Sequence, residues 1–436
     1  MALMEKTIGP GNRNLLRRSA KLLTAVFMLL VITADSYGQV SGIHIRFDKR
    51  NARRHTMPFE LVNNLMLVPA FINGSDTLRF IVDTGVGNTI ITSLRGIENI
   101  SFNFARELSI YGFGQDKEIK AYHSYGNTLK MPGLTGYNHN VIILREEVEH
   151  LSQSLGVNVN GILGYDLFNS FVVDIDYIKG QLILYDLNYY NRRLRSKRVK
   201  NHRVIPLEIE RQKPYVYADL KDRNGQDFRL RLLVDTGASH ALSLFTSEES
   251  GIAVPEESLY TFLGLGLAGD VYGSISRVDQ LNLGGFSLTE PVVTFPEINR
   301  EIRMIEPLQR HGTIGSDILK RFHVTFDYFN REMIFRPNSN YKRQFQYNLS
   351  GLEVATPFPG LPYFKIAKVR EGSPAWRAGL SAGDDLVSVN GIRTADLNLK
   401  RLNELLQSKP GRKIRLGVIR DERMYSARIV LEDPLR

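Results

Sequence analysis

Phe80-Ile81-Val82-Asp83-Thr84-Gly85 and Leu232-Leu233-Val234-Asp235-Thr236-Gly237 are two copies of one pattern, an apolar run that enters an Asp-Thr-Gly turn. At average residue usage, one such triplet arises by chance in a chain of 436 residues with a probability of about 0.1. Two triplets with the same lead-in point instead to duplication, and the residues around them keep the same spacing. Gly112-Phe113-Gly114 maps onto Gly264-Leu265-Gly266, and Leu129 onto Leu281, at the 152-residue offset that separates Asp83 from Asp235. Asn73-Gly74 maps onto Asn224-Gly225, Gly161-Ile162-Leu163-Gly164 onto Gly312-Thr313-Ile314-Gly315, and Asp176-Tyr177 onto Asp327-Tyr328, all at 151. An offset constant to one residue over a hundred positions indicates two equivalent domains.

The length exceeds what a single hydrophobic core organises, so two or three domains are expected. Most of the 36 glycines and 17 prolines separate short apolar runs, as in a β-rich fold. In the first copy the runs predict strands at 65–71, 77–82, 89–92, 109–111, 141–144, 171–175 and 181–185, with a helix near 145–155. Cysteine is absent, which excludes disulfides, thiolate metal sites and a cysteine nucleophile. At the N-terminus, Arg17, Arg18 and Lys21 precede the apolar run 22–32, and Ser36-Tyr37-Gly38 supplies the small residues of a cleavage site. Residues 1–38 therefore read as a secretory signal peptide, too short in its apolar part to span a bilayer, and the protein is expected in the periplasm or secreted, with an uncleaved signal that anchors it to the membrane as the alternative. Without that segment the formal charge falls from +10 to +7, and so mild a basic balance in an exported protein argues for no nucleic-acid partner.

An aspartate at the end of an apolar strand sits where desolvation disfavours its charge, and two of them from duplicated lobes can converge. Close carboxyls do not readily both ionise, so such a pair shares one proton over a wide pH range. That state places a general base and a general acid side by side. The base can deprotonate a water as it attacks an amide carbonyl while the acid protonates the carbonyl oxygen, with no metal, cofactor or covalent intermediate.

On these residues, over 57–337, the chain resembles the aspartic peptidases, with each half similar to a retropepsin-type β-barrel lobe and the two joined as in pepsin. The resemblance implies that Asp83 and Asp235 form the catalytic dyad, that Thr84 and Thr236 brace the two turns, and that Gly85 and Gly237 complete the loops. Ile162-Leu163-Gly164 and Thr313-Ile314-Gly315 match the elements that thread beside those loops. Tyr111-Gly112-Phe113-Gly114 resembles the tip of a substrate-covering flap, and Gly264 and Gly266 mark its repeat partner, so either lobe can supply a flap. Val86 and Ala238 stand where the family often has a hydroxyl that stabilises the carboxylate; their lack of a donor predicts activity shifted toward neutral pH. Gly87, opposite Ser239 in the second copy, predicts a looser first turn.

Gly264-Leu265-Gly266-Leu267-Ala268-Gly269 fits the dinucleotide fingerprint, but no helix or βαβ unit is expected around it, so no nucleotide is inferred. The histidines show no metal-binding spacing. The third unit, with Gly372-Ser373-Pro374-Ala375, Ala378-Gly379-Leu380, Gly383-Asp384 and Asn390-Gly391, resembles a PDZ domain. That resemblance implies a groove for a C-terminal peptide, with its carboxylate loop at Ser350-Gly351-Leu352.

The expected organisation is therefore mainly β: signal peptide 1–38, lobe 1 over 39–188, a solvated basic linker 189–203, lobe 2 over 204–345 and a PDZ domain over 346–436. The expected function is an exported aspartic endopeptidase acting on polypeptide, with its lobes paired within one monomer and the PDZ domain recruiting substrate. A non-catalytic peptide-binding protein on the same scaffold is the alternative, as is pairing of each lobe with its copy in a homodimer.

Overall fold

A strand buried on both faces needs a continuous apolar run rather than an alternating one, and the runs before both aspartates are of that kind. In the computed structural model, which describes residues 45–112, 118–297 and 310–436, these runs form Leu78–Val82 and Asp227–Val234. Each pairs in parallel with a short strand from the end of its own lobe. Leu163 lies opposite Val82 in the first lobe, and Ile314 lies opposite Val234 in the second, so the register is duplicated along with the sequence.

Lobe 1 closes into a barrel through six strands: Leu134–Leu144, Thr89–Ile91, Gly161–Leu163, Leu78–Val82, Leu65–Ile72 and Ile119–Met131, the last returning to pair with the first. The Ile119–Met131 strand bends sharply between Ser124 and Asn127, where Gly126 adopts φ +74°. In lobe 2 the equivalent bend breaks the strand into Gly269–Arg277 and Gln280–Leu283. Its neighbour is broken as well, into Phe286–Thr289 and Val292–Pro296, where Pro291 lacks the N–H a continuous ladder would use. The second lobe is thus the same barrel with two of its long strands interrupted.

A six-stranded antiparallel sheet joins the lobes, in the order Arg203–Pro206, Glu332–Pro337, Phe322–Asp327, Val172–Asp176, Gln181–Tyr185 and Arg54–Pro58. At its centre Val173 faces Phe326 and Ile175 faces Val324 across the lobe boundary, and all four are buried. The basic stretch expected as a solvated linker is corrected here. It is helical from Leu187–Tyr190 through Asn191–Arg195 to Ser196–Asn201 and lies against this sheet. Its Tyr190 is fully buried with Val172, Ile183 and Tyr185. Arg198 donates to Asp174 at 2.6 Å and to Thr325 Oγ1 at 2.7 Å, and Arg195 holds Glu332 at 2.6 Å. The cause is Asp174, a buried carboxylate in the joining sheet: Arg198 and His323 hold it below the usual carboxylate range against the opposing effect of burial.

The C-terminal unit has its own core around Leu352, Ile366, Leu386, Leu402, Leu416 and Ile429. Its helix Leu399–Leu406 is capped by Asn398, which accepts from Arg401 N–H at 2.9 Å, and it buries Leu399, Leu402, Leu405 and Leu406, a spacing of one helix face. Arg277 of lobe 2, with Asp433, forms a buried pair at 3.0 Å, and Arg277 also donates to Phe345 O, which fixes the unit to the second lobe. The proposed signal peptide, with Phe113 and Gly114, lies outside the described residues. Among those described, no helix is long and apolar enough to cross a membrane.

Candidate active site

Each Asp-Thr-Gly turn follows directly from its buried strand, and the two turns meet across the lobe boundary. Asp83 N–H donates to Leu163 O and Asp235 N–H to Ile314 O, both at 2.9 Å, so each aspartate is tied to the glycine-ended strand beside it. Within each turn the glycine N–H returns to its own aspartate, Gly85 to Asp83 Oδ1 at 2.6 Å and Gly237 to Asp235 Oδ1 at 2.8 Å. Thr84 and Thr236 are fully buried between the lobes. Thr84 Oγ1 accepts from Thr236 N–H at 3.0 Å and donates to Val234 O at 2.6 Å. Thr236 Oγ1 accepts from Thr84 N–H at 3.1 Å and donates to Val82 O at 2.9 Å. Four buried backbone groups are satisfied by two hydroxyls, and only with both lobes present.

This lattice brings the carboxyls together. Gly85 faces Asp235 so closely that a Cβ there would lie 2.8 Å from its Oδ2, and a Cβ on Gly237 would come closer still to Asp83. Glycine is therefore required for close approach at both positions, not for backbone conformation. The Asp83 carboxyl, partly reached by solvent at the cleft floor, is pushed well above the usual carboxylate range. Burial is the largest cause, followed by the negative charge of Asp235 and a hydrogen bond to it; Gly85 N–H and the more distant Lys213 act in the opposite direction. Two carboxyls this close can share one proton, which would hold one acid and one base at a single place.

Sequence reading missed several neighbours. The tight turn Asn63-Asn64 of lobe 1, with φ of 45° and 68°, reaches over the loop of lobe 2, where Asn64 Nδ2 donates to Ser239 O at 2.8 Å. The matching turn of lobe 2, Arg211-Gln212, has φ of 48° and 67°, and its Gln212 side chain lies where a Cβ of Gly87 would be. Gly87 therefore does not loosen the first turn; it makes room for the other lobe. The Asn-Asn pair is a recognisable left-handed turn signal, whereas Arg-Gln is not. His240, three residues beyond Gly237, is half-buried, and desolvation pulls its imidazole pKa down against the charges of Asp235 and Asp317.

Both lobes carry a hairpin at the expected flap position, Phe104–Ile110 with Ile119–Met131 and Leu259–Gly266 with Gly269–Arg277. The dinucleotide-like glycines form the second hairpin: Gly264 and Gly266 end its first strand, and Leu267-Ala268 is the tip. Gly112, just past the first strand of the lobe 1 hairpin, meets the tip of the second hairpin: a Cβ there would lie 2.9 Å from Leu267 Cβ, while Tyr111 is exposed. Leu267 and Ala268 pack against the lobe 1 cluster around Ile119 and Ile142, which Val86, Leu108 and Ile110 also join. Val86 thus loses a hydroxyl donor to the dyad and gains an apolar seat for the opposite hairpin. In the third unit, Ser350, Gly351 and Leu352 are all buried. Gly351 N–H donates to Asn348 Oδ1 at 2.9 Å and Leu352 N–H to Ser350 Oγ at 3.2 Å, so in this conformation neither N–H points to a carboxylate site.

Two family models follow the same division of the chain. The family model described as aspartyl protease matches residues 68–167 and 221–318, one segment per lobe, and that described as PDZ domain matches 365–420. No curated protein matches. Among solved structures, the aspartic proteinase from Irpex lacteus is similar at 12% identity and a TM-score of 0.44, covering 66% of this chain and 99% of that one. The chain carries an aspartyl protease domain in two segments, followed by a PDZ domain.

Proposed function

We propose that the protein is an aspartic endopeptidase in which Asp83 and Asp235 share one proton and activate one water against the carbonyl of an extended polypeptide. The observation that carries this reading is the convergence of both carboxyls on a threonine lattice that neither lobe can complete alone. In the reaction, the ionised carboxyl of the pair takes a proton from water as its oxygen attacks the scissile carbon, and the protonated carboxyl gives its proton to the carbonyl oxygen. Proton transfer to the nitrogen then releases the amine as the C–N bond breaks. The raised Asp83 pKa supports a one-proton state that persists toward neutral pH, in line with Val86 and Ala238 offering no hydroxyl to the charged form.

The N-terminal segment would export the enzyme to the periplasm or beyond, the two lobes of one chain would supply the whole site in a monomer, and the PDZ domain would position the substrate. The test is cleavage of a fluorogenic peptide library by the wild type and by Asp83→Asn and Asp235→Asn. Either substitution abolishes turnover if the site is shared. Residual turnover in one variant would mean separate sites, and a wild type that binds peptides without cutting them would make the protein a peptide-binding module.

A further inference from the structure

The strand Leu352–Ala355 is an edge of the PDZ sheet, with Phe364–Val369 on one side only. A PDZ domain takes an extended chain along such an edge, beside a helix, by adding a strand to the sheet. Here the edge is already met by lobe 1. At the end of the helix Glu149–Leu155, Gln153 O accepts from Thr356 N–H at 3.0 Å, and Gly156 O accepts from Gly360 N–H at 3.0 Å. Gly156 caps that helix with φ +74° and presses on the first residue of the PDZ helix: a Cβ there would lie 2.8 Å from Leu399 Cβ. The segment 153–156 therefore lies beside the PDZ helix where the edge strand ends, with its carbonyls on Thr356 and Gly360 just beyond that strand.

The other face of the same short helix holds the second hairpin. His150 Nε2 is 2.9 Å from Gly266 O, and since a carbonyl only accepts, that nitrogen carries the proton. Val148 and Leu151 join the apolar cluster of Leu267, Ala268 and Val86. One seven-residue helix thus touches the PDZ edge at its C-terminal end and the hairpin over the dyad on its side.

We propose that residues 153–156 block the far end of the PDZ groove in cis, and that an unfolded polypeptide whose free C-terminal carboxylate takes the Gly351 and Leu352 N–H groups from Asn348 and Ser350 displaces them and thereby loosens the second hairpin. The exposed Phe358 and Leu361, in the loop that follows the edge strand, suit apolar residues upstream of the chain end. The binding half of this inference rests on the PDZ fold alone, and its consequence for turnover rests on the peptidase reading above.

The chain has no cysteine, so the pair Gly156→Cys with Leu399→Cys can be locked by oxidation and released by reduction in the same full-length molecule. The probe is a fluorescein-labelled mixed decapeptide pool with an apolar last residue and a free carboxylate, followed by anisotropy, with the amidated pool as control. Amide hydrogen exchange of 259–277 and cleavage of an internally quenched substrate are read in parallel. Expected are binding of the acid pool to the reduced form, weakened by at least about tenfold on oxidation, and faster exchange of 259–277 on binding to the reduced form only. Gly156→Ala, whose Cβ wedges against Leu399, is expected to bind more tightly than wild type. Equal binding to the oxidised and reduced forms, or no binding to the reduced form, overturns the proposal; binding that competes but leaves hairpin exchange unchanged overturns the coupling. Absence of cleavage in every form counts against the peptidase reading and leaves the binding and exchange results to decide this one.

Discussion

Gly85→Ala and Gly237→Ala test the geometry of the dyad at single-methyl resolution. Neither glycine has positive φ, so alanine costs nothing in the backbone and the whole perturbation is the new Cβ. At Gly85 that carbon would lie 2.8 Å from Asp235 Oδ2 and 2.9 Å from its Cγ, where ordinary contact begins at 3.4 Å. Asp235 or the turn must then yield by about 0.6 Å, in a site where a misplacement of about 1 Å costs on the order of a hundredfold in rate. A loss of roughly ten- to a hundredfold in kcat/KM follows, about 1.4–2.7 kcal/mol in the transition state. At Gly237 the approach to Asp83 is closer, so the loss is larger. The assay is kcat/KM on a fluorogenic peptide for both variants, with circular dichroism to confirm folding and a thermal melt to separate displacement from unfolding. Equal losses at the two positions, or a Gly237→Ala variant as active as wild type, would refute the reasoning that carboxyl approach is what these glycines permit.

Thr84→Val or Thr236→Val strands a buried N–H and a buried C=O of the opposite lobe, each worth about 1–3 kcal/mol when unsatisfied. Urea unfolding should show a loss of that order for either variant, with strong non-additivity in the double variant, because the two hydroxyls serve one lattice. The pH–rate profile should retain activity at neutral pH, and a peak near pH 3, typical of a strongly acidic dyad, would contradict the raised Asp83. Burial pushes Asp166 up to about 7 and pulls its 3.4 Å neighbour His139 down to about 4, so between those values the contact joins two neutral groups. The folded pKa of Asp166 lies above its unfolded one, so its contribution is fully present below the unfolded value and is lost as pH rises through about 7. The melting temperature of Asp166→Asn relative to wild type should therefore rise between pH 4 and 8, and a flat difference would exclude the shift. Arg277→Met leaves Asp433 with only the more exposed Arg436 at 3.4 Å, a loss of up to about 3–5 kcal/mol, and limited proteolysis should then cut between lobe 2 and the PDZ domain.

Much of the fold and of the site was readable in the chain because duplication makes equivalent residues visible without an alignment. The offset of Asp83 to Asp235 predicted two equivalent lobes, and the resemblance implied that Thr84 and Thr236 brace the turns. What was not readable depends on contacts between distant segments. The helix 187–201 looks like a linker because its arginines show no periodicity, and only the buried Asp174 explains where Arg198 goes. Gly87 looked like slack because Gln212, its reason for being glycine, lies 125 positions away. The loop 350–352 is a local exception: Asn348, only three residues before Gly351, accepts its N–H in a turn that the sequence does not distinguish from a carboxylate loop.

The joining sheet also sets when the site can exist. Val173 pairs with Phe326 and Arg54–Pro58 with Gln181–Tyr185, so the platform beneath the turns is built from strands more than a hundred residues apart. Such pairings close late, after local hairpins have formed. During synthesis lobe 1 emerges with Asp83 in place but no partner for Thr84, and the carboxyl pair comes into being only once residues near 327 have been made and have docked. The order of the chain itself thus keeps the growing polypeptide from meeting a finished site until nearly all of the two lobes is available to fold.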